Sequence, residues 1–338
     1  MTVAPQRRSL RFLHILGNQT VSGRLTARII STCANIMSRF EGKVFGDEAP
    51  LQPPIFIIGF PRSGTTLVYQ TMCHSFKLAY TPMLTNYLIW MPSFAVWLCK
   101  HRQLKYSSDF ESSYGVSKGM ASPGEGAMWN LWFVKDKYYC SLEEVENKNA
   151  AEIKKFIGRT ERILQAPFIN KNLRNNNRIG PLAELFPRAL FVVVLRHPQD
   201  VALSLLQARI NLYGDINRIF SVKPRLFPKT ETLAEKSVVE QLNGLMKDVL
   251  SEMNRIGNSR FWVVRYEDFC ESPPASMQRF AEFSSQKGVV LKKHRPPPLS
   301  FGKQCVSTDK SINKRIKTLE EVVQESFDWH RYNKLISL

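Results

Sequence analysis

Ile55-Phe56-Ile57-Ile58-Gly59-Phe60-Pro61-Arg62-Ser63-Gly64-Thr65-Thr66 is the stretch that decides the fold of this 338-residue chain. Ile55 to Gly59 is a short apolar run rich in branched side chains, the pattern of a strand buried on both faces in a parallel sheet. Pro61 to Thr66 reads as a loop, and Leu67 to Phe76 reads as a helix. A strand, a glycine-containing loop and a helix in succession make a cradle for an anion. The loop and helix-start N–H groups point at the ligand, and the helix dipole favours negative charge there. Gly64 lets the backbone come close, and Thr65 and Thr66 add hydroxyl donors. Arg62, Ser63, Gly64, Thr65 and Thr66 are therefore the candidate anion-binding residues of this loop.

A triphosphate-hydrolysing loop has the form GxxxxGK[ST]. Gly59 and Gly64 keep that glycine spacing, but Thr65 stands where the lysine belongs and the charge sits on Arg62. A second apolar strand, Ala189 to Leu195, runs into Arg196-His197-Pro198-Gln199-Asp200-Val201-Ala202-Leu203-Ser204. A magnesium-binding nucleotidase strand ends in Asp at such a point; this one ends in Arg, which binds anions instead. Pro198 suits the first turn of a helix, and Ser204 would lie one or two turns inside it.

The remaining chain repeats the alternation. Residues 150–165 and 179–186 have helical spacing, Gln199 to Leu212 is a helix, Phe261 to Val264 a third strand, and Leu319 to Tyr332 a C-terminal helix. Residues 80–140 are aromatic-rich and irregular. Strands alternating with helices predict an α/β, P-loop-like three-layer fold, with a central parallel sheet flanked by helices. No convincing linker interrupts it. The expected organisation is a basic helical extension over residues 1–50, helical from about Gly23 to Phe40, followed by one domain over 51–338.

Lys and Arg total 47 against 29 Asp and Glu, a net charge of +18 that predicts an anionic partner. No recognised nucleic-acid motif accompanies the charge, so phosphate- or sulfate-bearing small molecules and anionic lipid surfaces are the favoured classes. The cysteines, Cys33, Cys73, Cys99, Cys140, Cys270 and Cys305, form no CxxC pair. They neither gather as metal ligands nor build a disulfide framework, so no metal is expected and a reducing cytoplasm is the simplest compartment. The most apolar stretch, Tyr87 to Cys99, is too short to span a membrane and contains Pro92. Arg7, Arg8, Arg11, Arg24, Arg28 and Arg39 precede the first acid, Glu41. That pattern fits an outer helix with a solvated basic face, an interfacial helix in peripheral contact with a membrane, or a transit peptide.

Together the two motifs resemble those of the sulfotransferase superfamily that uses 3′-phosphoadenosine 5′-phosphosulfate (PAPS). In that family a loop like PRSGTT binds the 5′-phosphosulfate, as Pro61 to Thr66 would here. An Arg and a Ser in a pattern like RxPxDVAxS bind the 3′-phosphate, as Arg196 and Ser204 would. Arg265-Tyr266-Glu267-Asp268 resembles the family's YED element, which implies that Tyr266 lies by the adenine. The recognisable resemblance covers about residues 54–75 and 165–272. It implies an acceptor-side region at about residues 80–150 of the domain and transfer of a sulfonyl group to a hydroxyl or amine.

Such a transfer needs cations on the departing phosphate and a base for the acceptor proton. Arg62 is placed for the first task. Lys171 matches the lysine of a KxH pattern that phenol- and steroid-directed relatives carry, and would hold the sulfonate or bridging oxygen. The histidine of that pattern is replaced by Leu173, which cannot take a proton. Glu125, in Ser122-Pro123-Gly124-Glu125-Gly126, resembles an SPxE element of bacterial-type relatives and is the expected base. Trp129 and Trp132 are expected to dehydrate it. Tyr87, Trp90, Met91, Phe94 and Trp97 read either as core or as the lining of a pocket for a hydrophobic or lipid alcohol. The rival readings are a P-loop kinase or hydrolase and a non-catalytic polyanion- or membrane-surface-binding protein. The sequence identifies neither the acceptor nor the oligomeric state.

Overall fold

The computed structural model describes residues 36–104, 106–112, 114–133, 140–145, 147–227, 233–302 and 310–338. Its centre is a five-stranded sheet of β1 (Ile55–Gly59), β2 (Ala79–Tyr80), β3 (Phe168–Lys171), β4 (Leu190–Leu195) and β5 (Phe261–Arg265) in the order β2-β3-β1-β4-β5. Every neighbouring pair is parallel. The principal helices are α1 (Thr65–Ser75), α2 (Asn147–Leu164), α3 (Ile179–Leu185), α4 (Pro198–Tyr213), α5 (Ala234–Ile256), α6 (Pro273–Gln286), α7 (Ile316–Ser326) and α8 (Trp329–Ile336).

The alternating strand geometry sorts the apolar runs into two cores. Phe56, Ile58, Phe191, Val193 and Leu195 face one side and pack with side chains of α2, α3, α4 and α5. Ile55, Ile57, Leu190, Val192 and Val194 face the other and pack with Val68, Tyr69 and Met72 of α1 and Met277 and Phe280 of α6. Because both faces are covered, the strands carry no polar alternation. Each fully buried aliphatic side chain contributes roughly 1.5–3 kcal/mol relative to exposure. A charge at Val193, 1% exposed, would lose that contribution and add an unpaired buried ion.

Two strands and the longest helix escape the sequence reading. β2 has two residues, and β3 ends in Asn170 and Lys171, both buried, in a stretch to which the apolar pattern assigns no strand. The 23-residue α5 spans a region left unassigned. The expected C-terminal helix is two helices. The chain breaks after Ser326, and the Asp328 side chain accepts from the Arg331 N–H to start the second.

Of the expected N-terminal helix, residues 36–45 are helical, and 1–35 lie outside the described residues. The described part is docked to α2. Arg159, 1% exposed, donates to the equally buried Glu41 at 3.3 Å and to the Gly46 carbonyl at 3.0 Å. Removing one member of such a buried pair costs about 3–5 kcal/mol. No helix among the described residues is long and apolar enough to cross a membrane. Cys73, Cys99 and Cys270 are buried thiols; Cys33 and Cys305 lie outside the described residues.

Candidate active site

Chain order and strand register decide where the motifs meet. From β1 the chain moves toward β3 and β2, whereas from β4 it moves toward β5, so the connections diverge between β1 and β4. Open α/β sheets bind ligands beyond the carboxyl ends of the strands at such a switch point. Gly59 lies beside Val194, Ile57 beside Lys171, and Leu195 beside Arg265. The loop after β1, the end of β3, Arg196 after β4 and Tyr266 after β5 therefore surround one cleft of about 550 Å³.

The loop is shaped by two residues with positive φ, Arg62 at 69° and Gly64 at 88°. A Cβ on Gly64 would stand 2.2 Å from the Tyr266 ring, so glycine is demanded by both backbone conformation and that ring. Gly64 offers no side chain to cap α1, which leaves the first N–H groups of the helix available to an anion. Asn176, beyond β3, grips the loop's entrance. It accepts from the Gly59 N–H at 3.1 Å and donates to the Gly59 carbonyl at 2.9 Å. Thr65 and Thr66 are buried at the start of α1 and line the cleft, and the Thr66 hydroxyl lies 3.5 Å from the Gly115 carbonyl. Ser63 is turned away; its hydroxyl and its N–H both donate to the Phe60 carbonyl, at 2.8 and 3.2 Å.

Arg62 and Arg196 both line the cleft. Burial pulls the Arg62 guanidinium below its ordinary range, and the neighbouring Arg196 cation acts the same way. Arg62 Nε donates to the Ser204 hydroxyl at 3.0 Å, so Ser204 braces the β1 loop from α4. Arg196 packs over the Tyr266 ring at 4.6 Å and lies 3.5 Å from the Asp200 carboxylate. Burial raises the Tyr266 phenol well above its usual value, with Cys270 adding to the effect, so it remains a neutral ring and donor. Glu267 accepts from the His197 N–H at 2.8 Å, while the His197 ring packs against Trp329 at 5.8 Å.

Across the cleft, Lys171, 2% exposed, donates to Glu125 Oε1 at 2.5 Å. Asn170 donates to the Glu125 carbonyl at 3.2 Å and so fixes the backbone that carries the carboxylate. Trp129 and Trp132 do not line the cleft. They meet each other edge-on and pack against Phe56 and Phe156 in the core, so the group that meets the Glu125 carboxylate is the Lys171 ammonium. The stretch Tyr87 to Trp97 is also away from the cleft. Tyr87 is exposed, Trp90 and Trp97 pack on the core, and Phe94 stacks on Trp97.

The cleft is lined as well by Leu173 and by Tyr114, Cys140, Asn172, Arg174, Asn177, Arg178, Phe220 and Val222, residues that sequence reasoning missed. The one local signal is Lys171-Asn172-Leu173-Arg174-Asn175-Asn176-Asn177-Arg178, a run of basic and amide residues without an acid. Tyr114 and Phe220, distant in the chain, make an edge contact at 6.4 Å, and Arg62 reaches over the Tyr114 ring at 5.3 Å. Chemically, the cleft offers cations and amides, one carboxylate–ammonium pair, and apolar side chains beside them.

Residues 53–285 match the model of a family described as the Sulfotransferase family. The chain is 23% identical over 270 residues to omega-hydroxy-beta-dihydromenaquinone-9 sulfotransferase Stf3 of Mycobacterium bovis, covering 74% of this chain and 68% of that protein. The Stf3 of Mycobacterium tuberculosis matches to the same extent. Among solved structures, the sulfotransferase STF9 of Mycobacterium avium aligns with a TM-score of 0.49 and 15% identity, covering 93% of this chain and 80% of that one.

Proposed function

The chain belongs to the sulfotransferase family, and from that premise we propose that it takes PAPS as donor and sulfonates a hydroxyl on an apolar acceptor. The observation that carries the donor assignment is the register of β1, β4 and β5, which brings Arg62, Arg196 and Tyr266 to one cleft. The residues fit a doubly phosphorylated adenosine. Uncapped N–H groups of α1, Thr65, Thr66 and Arg62 would hold the phosphosulfate, and Arg196 the 3′-phosphate, with Tyr266 packed between the loop and Arg196. Ser63 and Ser204 would contribute by shaping the loop and bracing Arg62.

When bound, PAPS supplies an activated sulfonyl group. Glu125 takes the proton from the acceptor hydroxyl at a carboxylate oxygen as the acceptor oxygen bonds to sulfur. Lys171 and Arg62 offer N–H donors to the charge left on the departing phosphate oxygen, from positions fixed before reaction. The Glu125–Lys171 contact makes the two tasks adjacent, so proton acceptor and charge stabiliser meet at one point of the wall.

Leu173, Tyr114, Phe220 and Val222 support an apolar acceptor body. The Stf3 relatives, named for a hydroxylated dihydromenaquinone, support the hydroxyl. The basic residues within 1–35 support peripheral contact with an anionic lipid surface, where an apolar acceptor would be met. Isothermal titration with adenosine 3′,5′-bisphosphate beside ATP and magnesium tests the donor assignment. Binding of the bisphosphate without metal is expected; ATP–magnesium binding with no bisphosphate affinity would refute it.

A further inference from the structure

Arg178 is a buried cation to which the reaction as described gives no task. It is the last residue of the short 3-10 helix Leu173–Arg178 after β3 and is 5% exposed. Its guanidinium lies over the Phe133 ring at 4.3 Å, and it lines the acceptor half of the cleft. Its Nη1 is buried, and no acceptor among the described residues takes its hydrogens. The Asn177 side-chain oxygen beside it is also buried without a donor, while its Nδ2 is engaged by the Lys223 carbonyl. Among the described residues that line the cleft, Glu125 is the single carboxylate, and Lys171 already holds it at 2.5 Å. Arg174, four residues earlier, adds a second cation on the same wall and is engaged by Asn130 at 3.0 Å.

Buried guanidinium groups are ordinarily matched by carboxylates or phosphates, because a planar fork of N–H donors left unpaired out of water is costly. Here burial, reinforced by the Arg174 charge, pulls Arg178 down to about 9. No carboxylate among the described residues lies within ion-pair distance of it, yet its side chain lines the same cleft as Glu125, whose charge it senses. We propose that Arg178 forms an oxyanion subsite, so that the acceptor carries a carboxylate or phosphate group on its apolar body in addition to the hydroxyl that is sulfonated. Arg178 receives that group bidentately, Phe133 keeps the guanidinium plane in place, and Arg174 adds charge at the rim. The subsite selects anionic over neutral acceptors of the same length and fixes the distance between anion and reacting hydroxyl.

This assignment rests on the sulfotransferase reading of the cleft, and the experiment separates the two. The full chain is saturated with adenosine 3′,5′-bisphosphate, which fills the donor half, and titrated calorimetrically with octanoate, octyl phosphate and, as the neutral control, 1-octanol. The wild-type complex should bind at least one octyl anion tenfold or more tightly than octanol, and the tighter anion identifies carboxylate or phosphate as the matching group. Arg178→Gln should abolish that preference while octanol and bisphosphate affinities stay unchanged. Arg178→Lys keeps the charge without the fork and serves if Arg178→Gln loses the wild-type circular-dichroism spectrum. It should weaken the preferred octyl anion severalfold while octanol is unaffected. Equal binding of anion and alcohol by the wild type, an unchanged anion preference in the variant that folds, or a parallel loss of bisphosphate affinity would each overturn the assignment. Failure of the wild type to bind the bisphosphate would instead remove the donor reading on which it stands.

Discussion

The two halves of the cleft are built differently. The donor half hangs on consecutive backbone: a strand end, a loop with two positive-φ residues and an uncapped helix start, joined by Arg196 from the next strand. The proposed acceptor half is assembled from separate segments, with Glu125 on one loop, Lys171 on a strand end, Arg178 at the end of a short 3-10 helix, and Tyr114 and Phe220 from still other segments. Backbone N–H groups impose geometry on any sequence that can make the turn, so the donor half depends on a few conformational requirements. The acceptor half depends on side-chain chemistry at scattered positions.

That contrast can be broken or sharpened by substitution. The largest effect belongs to the acceptor half. Glu125→Gln keeps the shape, removes the proton acceptor and should lower turnover by about 10²–10⁴-fold. Bisphosphate affinity should be unchanged; labelled-sulfonyl transfer beside calorimetry measures both, and wild-type turnover would move the base elsewhere. Next is Arg196→Ala, expected to weaken bisphosphate binding by about 2–3 kcal/mol, as for a charge-assisted hydrogen bond. That is roughly 30- to 150-fold. Unchanged affinity would detach β4 from the donor half.

Gly64→Ala tests whether conformation alone shapes the donor half. With φ at 88° and the Tyr266 ring in the way, it should cost about 1–3 kcal/mol of folding stability in urea titration. Bisphosphate affinity should fall with it, whereas an alanine variant of wild-type stability would show that the loop has slack. The smallest effect is Ser204→Ala, which deprives Arg62 Nε of its acceptor and should weaken bisphosphate binding by about 1 kcal/mol, near fivefold. A loss as large as that of Arg196→Ala would mean that Ser204 contacts the ligand itself.

The legible parts of the molecule are those whose signal is local. β1, β4 and β5 are apolar because both faces of the sheet are covered, and α1 and α4 follow from loop and proline punctuation. β3 was missed because Asn170 and Lys171 are polar yet buried, each kept there by Glu125. Asn176 carries no signal of its own in the sequence, although it clamps both backbone groups of Gly59. The aromatic stretch at 87–97 read either as core or as a pocket wall, and the structure puts Trp90 and Trp97 against the core and leaves Tyr87 exposed; helical spacing states which face is apolar and not what it meets. Trp129 and Trp132 were expected beside the Glu125 carboxylate for the same reason and instead fill the interior.

By itself the sequence determined the alternation of strands and helices, the glycine loop between β1 and α1, and the arginine after β4 where a metal-binding acid would otherwise stand. Each of these is written in neighbouring residues through backbone sterics and hydrophobic periodicity. Only the tertiary structure decided that Lys171 faces Glu125, that Ser204 braces Arg62 and that Arg178 is buried at the cleft wall with no carboxylate of the described residues in ion-pair distance. Those facts are distances between side chains far apart in the chain, set by strand register and by what the two cores leave uncovered.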